Sequence, residues 1–170
     1  MKKLALALLL ALFSCLAGAE EALLLHVGTL EVVFPAAWKF QRSGQRAEGK
    51  GPDGESVVVS YRVLNPGAPP EVVEQHWNVI RNFAHDEMPG IAASRNGKVL
   101  RPVSEVPRQD KRVQFSSVSK NSAQGADQYL LQYLLGSSRL IAYFTVEGSG
   151  DPLEAAARFE KILATQRWQE

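Results

Sequence analysis

Between Ala126 and Glu147 the chain places apolar side chains on both sides of a strand pattern. Tyr129-Leu130-Leu131-Gln132-Tyr133-Leu134-Leu135 and Arg139-Leu140-Ile141-Ala142-Tyr143-Phe144-Thr145-Val146 flank Gly136-Ser137-Ser138. The arrangement predicts two strands joined by a tight turn, with Gly136 at a positive-φ corner. Counted by twos, Tyr129, Leu131, Tyr133 and Leu135 share one face, while Leu130 and Leu134 flank Gln132 on the other. In the second strand Leu140, Ala142, Phe144 and Val146 oppose Ile141 and Tyr143. A ribbon that is apolar above and below requires a cover on each side.

The flanking patterns supply those covers. Leu23 to Val27 and Leu30 to Phe34 read as one strand broken at Gly28, or as two joined by a turn. Pro35-Ala36-Ala37 ends that segment, and Trp38 to Gln41 resumes a short extended piece. Arg42 to Glu55 is polar and glycine-rich, which predicts a surface loop with a turn at Pro52-Asp53-Gly54. Ser56 to Val63 alternates as a strand. After Pro69-Pro70, Val72, Val73, Trp77, Ile80, Phe83 and Ala84 keep helical spacing from Glu71 to Glu87, with Met88-Pro89-Gly90 as the stop. Lys98 to Val106, which Pro102 assigns to a sheet edge, and Lys111 to Lys120 predict two more strands around Pro107-Arg108-Gln109-Asp110. Asp151-Pro152 with Glu154 marks a capped helix start. The final helix carries Leu153, Ala156, Phe159, Ile162 and Leu163 as its buried stripe and ends near Trp168.

One helix before the central hairpin and one after it lead to an α+β chain. Its expected architecture is an α/β/α sandwich: a central, mostly antiparallel sheet with one long helix on each face. The order of elements, with Phe34-Pro35 and Trp38 at a strand end, a polar loop, a strand, a long helix, strands, the hairpin and a helix bearing Phe159, Ile162, Leu163 and the terminal Trp168, resembles the PsbP/Mog superfamily. That group includes the extrinsic PsbP subunit of photosystem II, Mog proteins that bind the GTPase Ran, and DcrB-like bacterial envelope proteins. The resemblance spans roughly Thr29 to Trp168 and implies a non-catalytic binding or assembly module. No residues here map onto a Ran-binding or photosystem-binding surface, so the subgroup stays open.

The N-terminus adds a compartment. Lys2-Lys3, the apolar run Leu4 to Phe13 and the small residues Ala17-Gly18-Ala19 read as an export signal, residues 1–19, cleaved between Ala19 and Glu20 to leave residues 20–170 as one domain. The apolar run is too short to span a bilayer. Leu12-Phe13-Ser14-Cys15 partly resembles a lipoprotein signal, in which Cys15 is lipidated, although Phe13 fits poorly. The expected location is therefore the periplasm, with a membrane-anchored lipoprotein as the alternative. Cleavage after Ala19 removes the only cysteine of the 170 residues, and with it disulfide, thiolate and Cys-metal chemistry. Taking Lys2 and Lys3 from the 19 basic residues leaves 17 against 18 acidic ones, which gives no electrostatic drive toward nucleic acid.

Candidate chemistry is thin. Gly44-Gln45-Arg46-Ala47-Glu48-Gly49-Lys50 matches the opening of a phosphate-binding loop, but Gly51 stands where Ser or Thr should hold magnesium, and no helix follows. His85-Asp86-Glu87 offers three ligands that point about 100° apart on a helix and cannot converge; His26 and His76 could join only through tertiary contacts. Ser137 and Ser138 lack a nucleophile elbow, and the carboxylates show no paired arrangement for glycoside cleavage. No catalytic residue, cofactor or metal is assigned. Trp38, with Arg42, Arg46 and Lys50 of the adjoining loop, is the candidate partner-binding group, whereas Trp77 and Trp168 read as core or boundary residues. The expected function is docking of an envelope protein partner on the sheet edge or loop rim, without catalysis. The alternative is a small-molecule carrier or hydrolase with a site between sheet and helix, which a deep apolar cavity with convergent polar groups would favour.

Overall fold

A computed structural model describes residues 22–106, 112–121 and 128–169. The signal and lipidation readings at Cys15, Ala19 and Glu20 lie outside them, as do Lys111 and the segment Pro107 to Asp110. Strands β1 (Leu23–Val27) and β2 (Leu30–Phe34) form a hairpin through Gly28-Thr29, and Gly28 adopts φ 59°, the left-handed value that a two-residue turn requires. β3 (Lys39–Ser43), β4 (Arg46–Lys50) and β5 (Ser56–Val63) follow as a meander. The helical segment comprises α1 (Pro70–Asn82), one π-helical turn (Phe83–Glu87) and α2 (Met88–Ser94). Then come β6 (Gly97–Val106), β7 (Val113–Asn121), β8 (Gln128–Gly136), β9 (Leu140–Ser149), α3 (Pro152–Leu163) and the two-residue β10 (Arg167–Trp168).

Seven strands make one antiparallel sheet in the order β3-β4-β5-β9-β8-β7-β6, and β1-β2-β10 make a smaller one. The β8/β9 ribbon lies in the interior of the large sheet, and every residue from Tyr129 to Gly136 is buried. On one face Tyr133, Leu131, Phe144 and Val57 join Phe159, Ala155 and Leu163 of α3 and Leu25, Val32 and Phe34 of the small sheet. On the other, Leu134 and Phe115 meet Ile80, Ala84 and Met88 of the helical segment, with Trp77, Phe83, Ile141 and Tyr143 around them. The expectation of one long helix per face simplifies both covers. α3 shares its face with a second sheet, and the opposite cover is a segment broken by the π-helical turn.

Several elements depart from the sequence reading for identifiable reasons. Arg42 to Glu55 is not a loop: it holds the β3/β4 hairpin, turning at Gly44 with φ 57°. The inward positions of β4 are Ala47 and Gly49, too small to register as apolar. A Cβ on Gly49 would stand 2.6 Å from the Phe40 ring and 2.7 Å from Val57, so the missing side chain is what lets Phe40 cross the strand. Pro89 does not stop the helix. The Met88 N–H bonds the Phe83 carbonyl across the π-helical turn, which places Pro89 in the first turn of α2, where its absent N–H costs no bond.

Gly136 is not the positive-φ corner of the hairpin. It is a strand residue paired with Ile141 and Val113, and the turn is tied instead by the Ser137 Oγ, which accepts from Arg139 and Leu140 N–H at 3.2 and 3.1 Å. Its smallness serves packing, since a Cβ would come within 2.7 Å of Ile80 Cδ1. The last helix ends at Leu163, not near Trp168. Thr165 Oγ1 accepts the Val33 N–H at 2.9 Å, and the chain leaves the helix to pair Trp168 with Leu30. Leu153, expected inside, is exposed while Ala155 takes a buried place. The Asp151 cap is present, its Oδ1 accepting the Leu153 and Glu154 N–H groups, each at 2.8 Å.

Phe159 meets four other rings in the first core. It stacks on Tyr133 at 5.3 Å between ring centroids and meets Phe34, Trp38 and Phe144 edge-on at 5.9 to 6.4 Å. Phe159→Ala is expected to lower unfolding stability by about 3–5 kcal/mol in urea titration, because the surrounding rings cannot all collapse into the space.

Candidate functional site

Trp38 stands at a groove of about 490 Å³ where the two covers of the first face meet. One wall is the end of β2 and its connection (Val33, Phe34, Pro35, Trp38). The other is α3, through Ala155, Arg158, Phe159 and Ile162, and the floor includes Leu131 and Val146 of the central ribbon. Trp38 is held by Phe34 edge-on at 5.3 Å, by Phe40 stacked at 6.2 Å and by the Pro35 carbonyl, which accepts its N–H at 3.0 Å. Space for its indole comes from Gly51, where a Cβ would stand 2.8 Å from the ring and 2.5 Å from Glu55 Oε2.

Three polar groups from three separate elements gather at this groove. Glu55 is buried at 8% exposure. Its Oε2 accepts the Asp53 N–H at 3.2 Å, and its Oε1 accepts from Arg158 Nη2 at 3.4 Å. The Tyr129 hydroxyl is the third, with its pKa raised above the usual tyrosine value by burial first and then by the Glu55 carboxylate, while Arg158 opposes the shift. Arg158 is bonded at long range and its side chain is 54% exposed, so its guanidinium also faces the groove mouth. Lys161 follows one turn later on the same helix.

The structure divides the predicted partner-binding group. Trp38 lines the groove, but Arg46 and Lys50 stand on the opposite face of the sheet: β4 turns Ala47 and Gly49 toward the first core and Arg46, Glu48 and Lys50 outward. Arg46 pairs with Glu48 at 2.8 Å. Lys50 is the direct cross-strand neighbour of Lys39, a like-charge pairing on an exposed face. Arg42 is exposed and opposite Ala47, so alternation places it on the Phe40 and Ala47 side of the sheet, away from Arg46 and Lys50. The sequence reading missed Glu55, Tyr129 and Arg158. Only Glu55 gave a signal, an acidic residue entering a strand next to a Pro-Asp-Gly turn.

The other candidates do not assemble. Gly44 to Lys50 is a hairpin with no following helix. His85, Asp86 and Glu87 are all exposed, and among the described residues no three His, Cys, Asp or Glu side chains gather as a metal site. His26 pairs with Glu31 at 3.1 Å across β1/β2. Ser137 serves the hairpin turn. Trp77 is half-buried against the second core, and Trp168 packs on the first with the Arg112 guanidinium 5.1 Å above its ring.

No protein-family profile matches the chain, and no curated protein does. Solved structures do. The solution structure of cyanobacterial PsbP (CyanoP) from Synechocystis sp. PCC 6803 superposes with a TM-score of 0.58 at 10% identity, covering 89% of this chain and 95% of that one. The fold is PsbP-like. A crystal structure from Bacteroides thetaiotaomicron VPI-5482 gives 0.53 at 12% identity over 88% of this chain, which spans 48% of that longer one.

His76 is a further buried titratable group, 6% exposed in α1. A carbonyl only accepts, so its Nε2 carries the proton donated to the Ser137 oxygen at 3.0 Å. Burial lowers its pKa below 6.5, against the raising effect of the backbone bonds to Ser137 and Leu140. The folded state therefore favours neutral His76. Its contribution is complete above the unfolded value of about 6.5 and is lost as the pH falls from there through the lower folded value. Stability measured by urea midpoint is expected to decline on acidification below about pH 6.5, and His76→Gln, which keeps an N–H donor, is expected to flatten that part of the profile.

Proposed function

We propose that this protein is an exported, non-catalytic binding protein of the bacterial cell envelope, built as an α/β/α sandwich, and that its binding site is the Trp38 groove. The observation that carries the reading is the groove itself: an apolar cleft of about 490 Å³ with Glu55, Tyr129 and Arg158 converging on one part of it. A cleft of that size and lining is suited to holding a guest. Glu55 and Tyr129 are both tied to Arg158, and no nucleophile–base pair is arranged among them, so holding and not cleaving is the chemistry they support.

Docking of a protein partner is a second reading, supported by a different observation. The outward face of β3 and β4 presents Lys39, Arg46 and Lys50 with Glu48 alone to offset them, and the opposed Lys39 and Lys50 would be relieved by an acidic surface. The resemblance to envelope members of the PsbP/Mog group and the N-terminal signal pattern support export. The same pattern leaves two outcomes, a free periplasmic protein cleaved after Ala19 or one anchored through Cys15.

The groove is tested with the uncharged dye N-phenyl-1-naphthylamine. Dye fluorescence is expected to rise on binding and to fall several-fold in Ile162→Gln, which introduces an amide into the apolar wall, while the unfolding free energy from urea titration stays within about 1 kcal/mol of the parent. Unchanged dye binding in the variant would place the apolar site elsewhere. For the anchor, growth with a radiolabelled lipid precursor is expected to leave the processed protein unlabelled and periplasmic; label that disappears in Cys15→Ala would establish the lipoprotein instead.

A further inference from the structure

We infer that the guest of the Trp38 groove is a single aliphatic chain with an anionic head, a fatty-acid-type carboxylate whose chain lies along Phe159 and Ile162 and whose head is held by Arg158 and Lys161. The inference rests on the groove reading above and specifies its ligand class.

The shape of the site argues for a chain. The residues of α3 that line it run from Ala155 to Ile162, about 10 Å of helix, a length that an extended chain can follow. Its walls are Val33, Phe34, Trp38, Phe159 and Ile162, with Leu131 and Val146 beneath. A peptide docking as an added strand would need an unpaired strand edge for its own backbone groups. None is offered by the strand that borders it: β2 is flanked by β1 on one side and β10 on the other, and the Val33 N–H is taken by Thr165 Oγ1 at 2.9 Å. A guest without backbone donors and acceptors leaves nothing unpaired.

The charges argue for the sign of the head. Glu55 is already engaged, one oxygen accepting from Asp53 N–H and the other from Arg158, and it is buried beneath an arginine whose side chain is 54% exposed, so a guest meets the guanidinium before the carboxylate. Arg158 carries five N–H donors; Nη2 goes to Glu55 at 3.4 Å and the guanidinium also bonds the Tyr129 hydroxyl, which leaves others to point at a carboxylate. Lys161 stands three residues along on the exposed side of the same helix and lines the same cleft. Asp53, the other carboxylate of the lining, is tied to Glu55 through its N–H at 3.2 Å. An anionic head at Arg158 and Lys161 meets two cations, and the Tyr129 hydroxyl lies within the same lining as a further donor.

The experiment uses the full-length processed protein and 11-bromoundecanoate, whose heavy atom quenches a nearby indole. Quenching is expected, and it is expected to vanish in Trp38→Phe although Trp77 and Trp168 remain. Displacement of the bromo acid by octanoate, decanoate and dodecanoate should strengthen roughly fourfold per added methylene until the cleft is filled. Dodecanoate should bind at least about tenfold more tightly than dodecanol, and Arg158→Gln with Lys161→Gln should erase that difference, costing dodecanoate at least about tenfold more than it costs dodecanol. If dodecanol or dodecyltrimethylammonium binds as tightly as dodecanoate, the anionic head is wrong and the groove stands as an apolar site. If quenching persists in Trp38→Phe, or no bromo acid binds while the dye does, the fatty-acid assignment fails. Failure of both acid and dye removes the groove reading as well.

Discussion

The structure depends on one constraint: the β8/β9 ribbon is apolar on both faces, so it can be stable only in the interior of a sheet that is covered twice. Edge positions in the large sheet fall instead to β3 and to β6, whose register shifts around Pro102 and whose exposed Val99 and Leu100 would be poorly placed in the centre. Each remaining element then has a side to fill. Because the two covers come from different parts of the chain, two separate cores form, one around Phe159 and Tyr133 and one around Ile80 and Leu134. The groove follows from the same constraint. Where a helix and a second sheet share one face of the ribbon, their boundary runs over apolar floor, and Leu131 and Val146 are left beneath a cleft.

The ribbon also contains a polar group that its own logic would exclude. Gln132 is fully buried, and it is satisfied on both sides: its Oε1 accepts from Ser117 Oγ at 2.8 Å and its Nε2 donates to the Tyr143 hydroxyl at 2.6 Å. A complete network of this kind costs little, whereas a one-residue slip of β7 or β9 would strand the amide in an apolar core. The network therefore acts as a register lock across three strands, in a sheet whose apolar pattern is equally greasy on both faces and for that reason specifies register weakly.

Much of this order was legible in the chain. Strand and helix existence followed from periodicity, and the two-faced ribbon pointed to a covered sheet. What escaped were positions at which a small residue is used for contact and not for conformation. Gly49 and Ala47 made a strand look like a loop, and Gly136 looked like a turn residue although it is a clearance for Ile80. The Pro89 stop failed because a π-helical turn resets the hydrogen-bond ladder before the proline, and no local pattern announces that reset. The small sheet was hidden for a similar reason: β10 is two residues long, and its pairing with β2 is fixed by Thr165 and Gln169 contacts that carry no periodicity.

The site was legible only through Trp38, and that asymmetry has a physical cause. An aromatic beside a strand end is conspicuous in a sequence, while Glu55, Tyr129 and Arg158 belong to β5's approach, β8 and α3 and become one group only when the ribbon takes its central place. The basic residues grouped with Trp38 by proximity along the chain separate for the same reason. Once residues 42–50 become a hairpin and not a loop, strand alternation sends Arg46 and Lys50 to one side of the sheet and the Trp38 neighbourhood to the other. A single strand assignment thus turns one diffuse candidate patch into two distinct surfaces, an apolar cleft with an arginine at its mouth and a flat basic face, each calling for its own kind of partner.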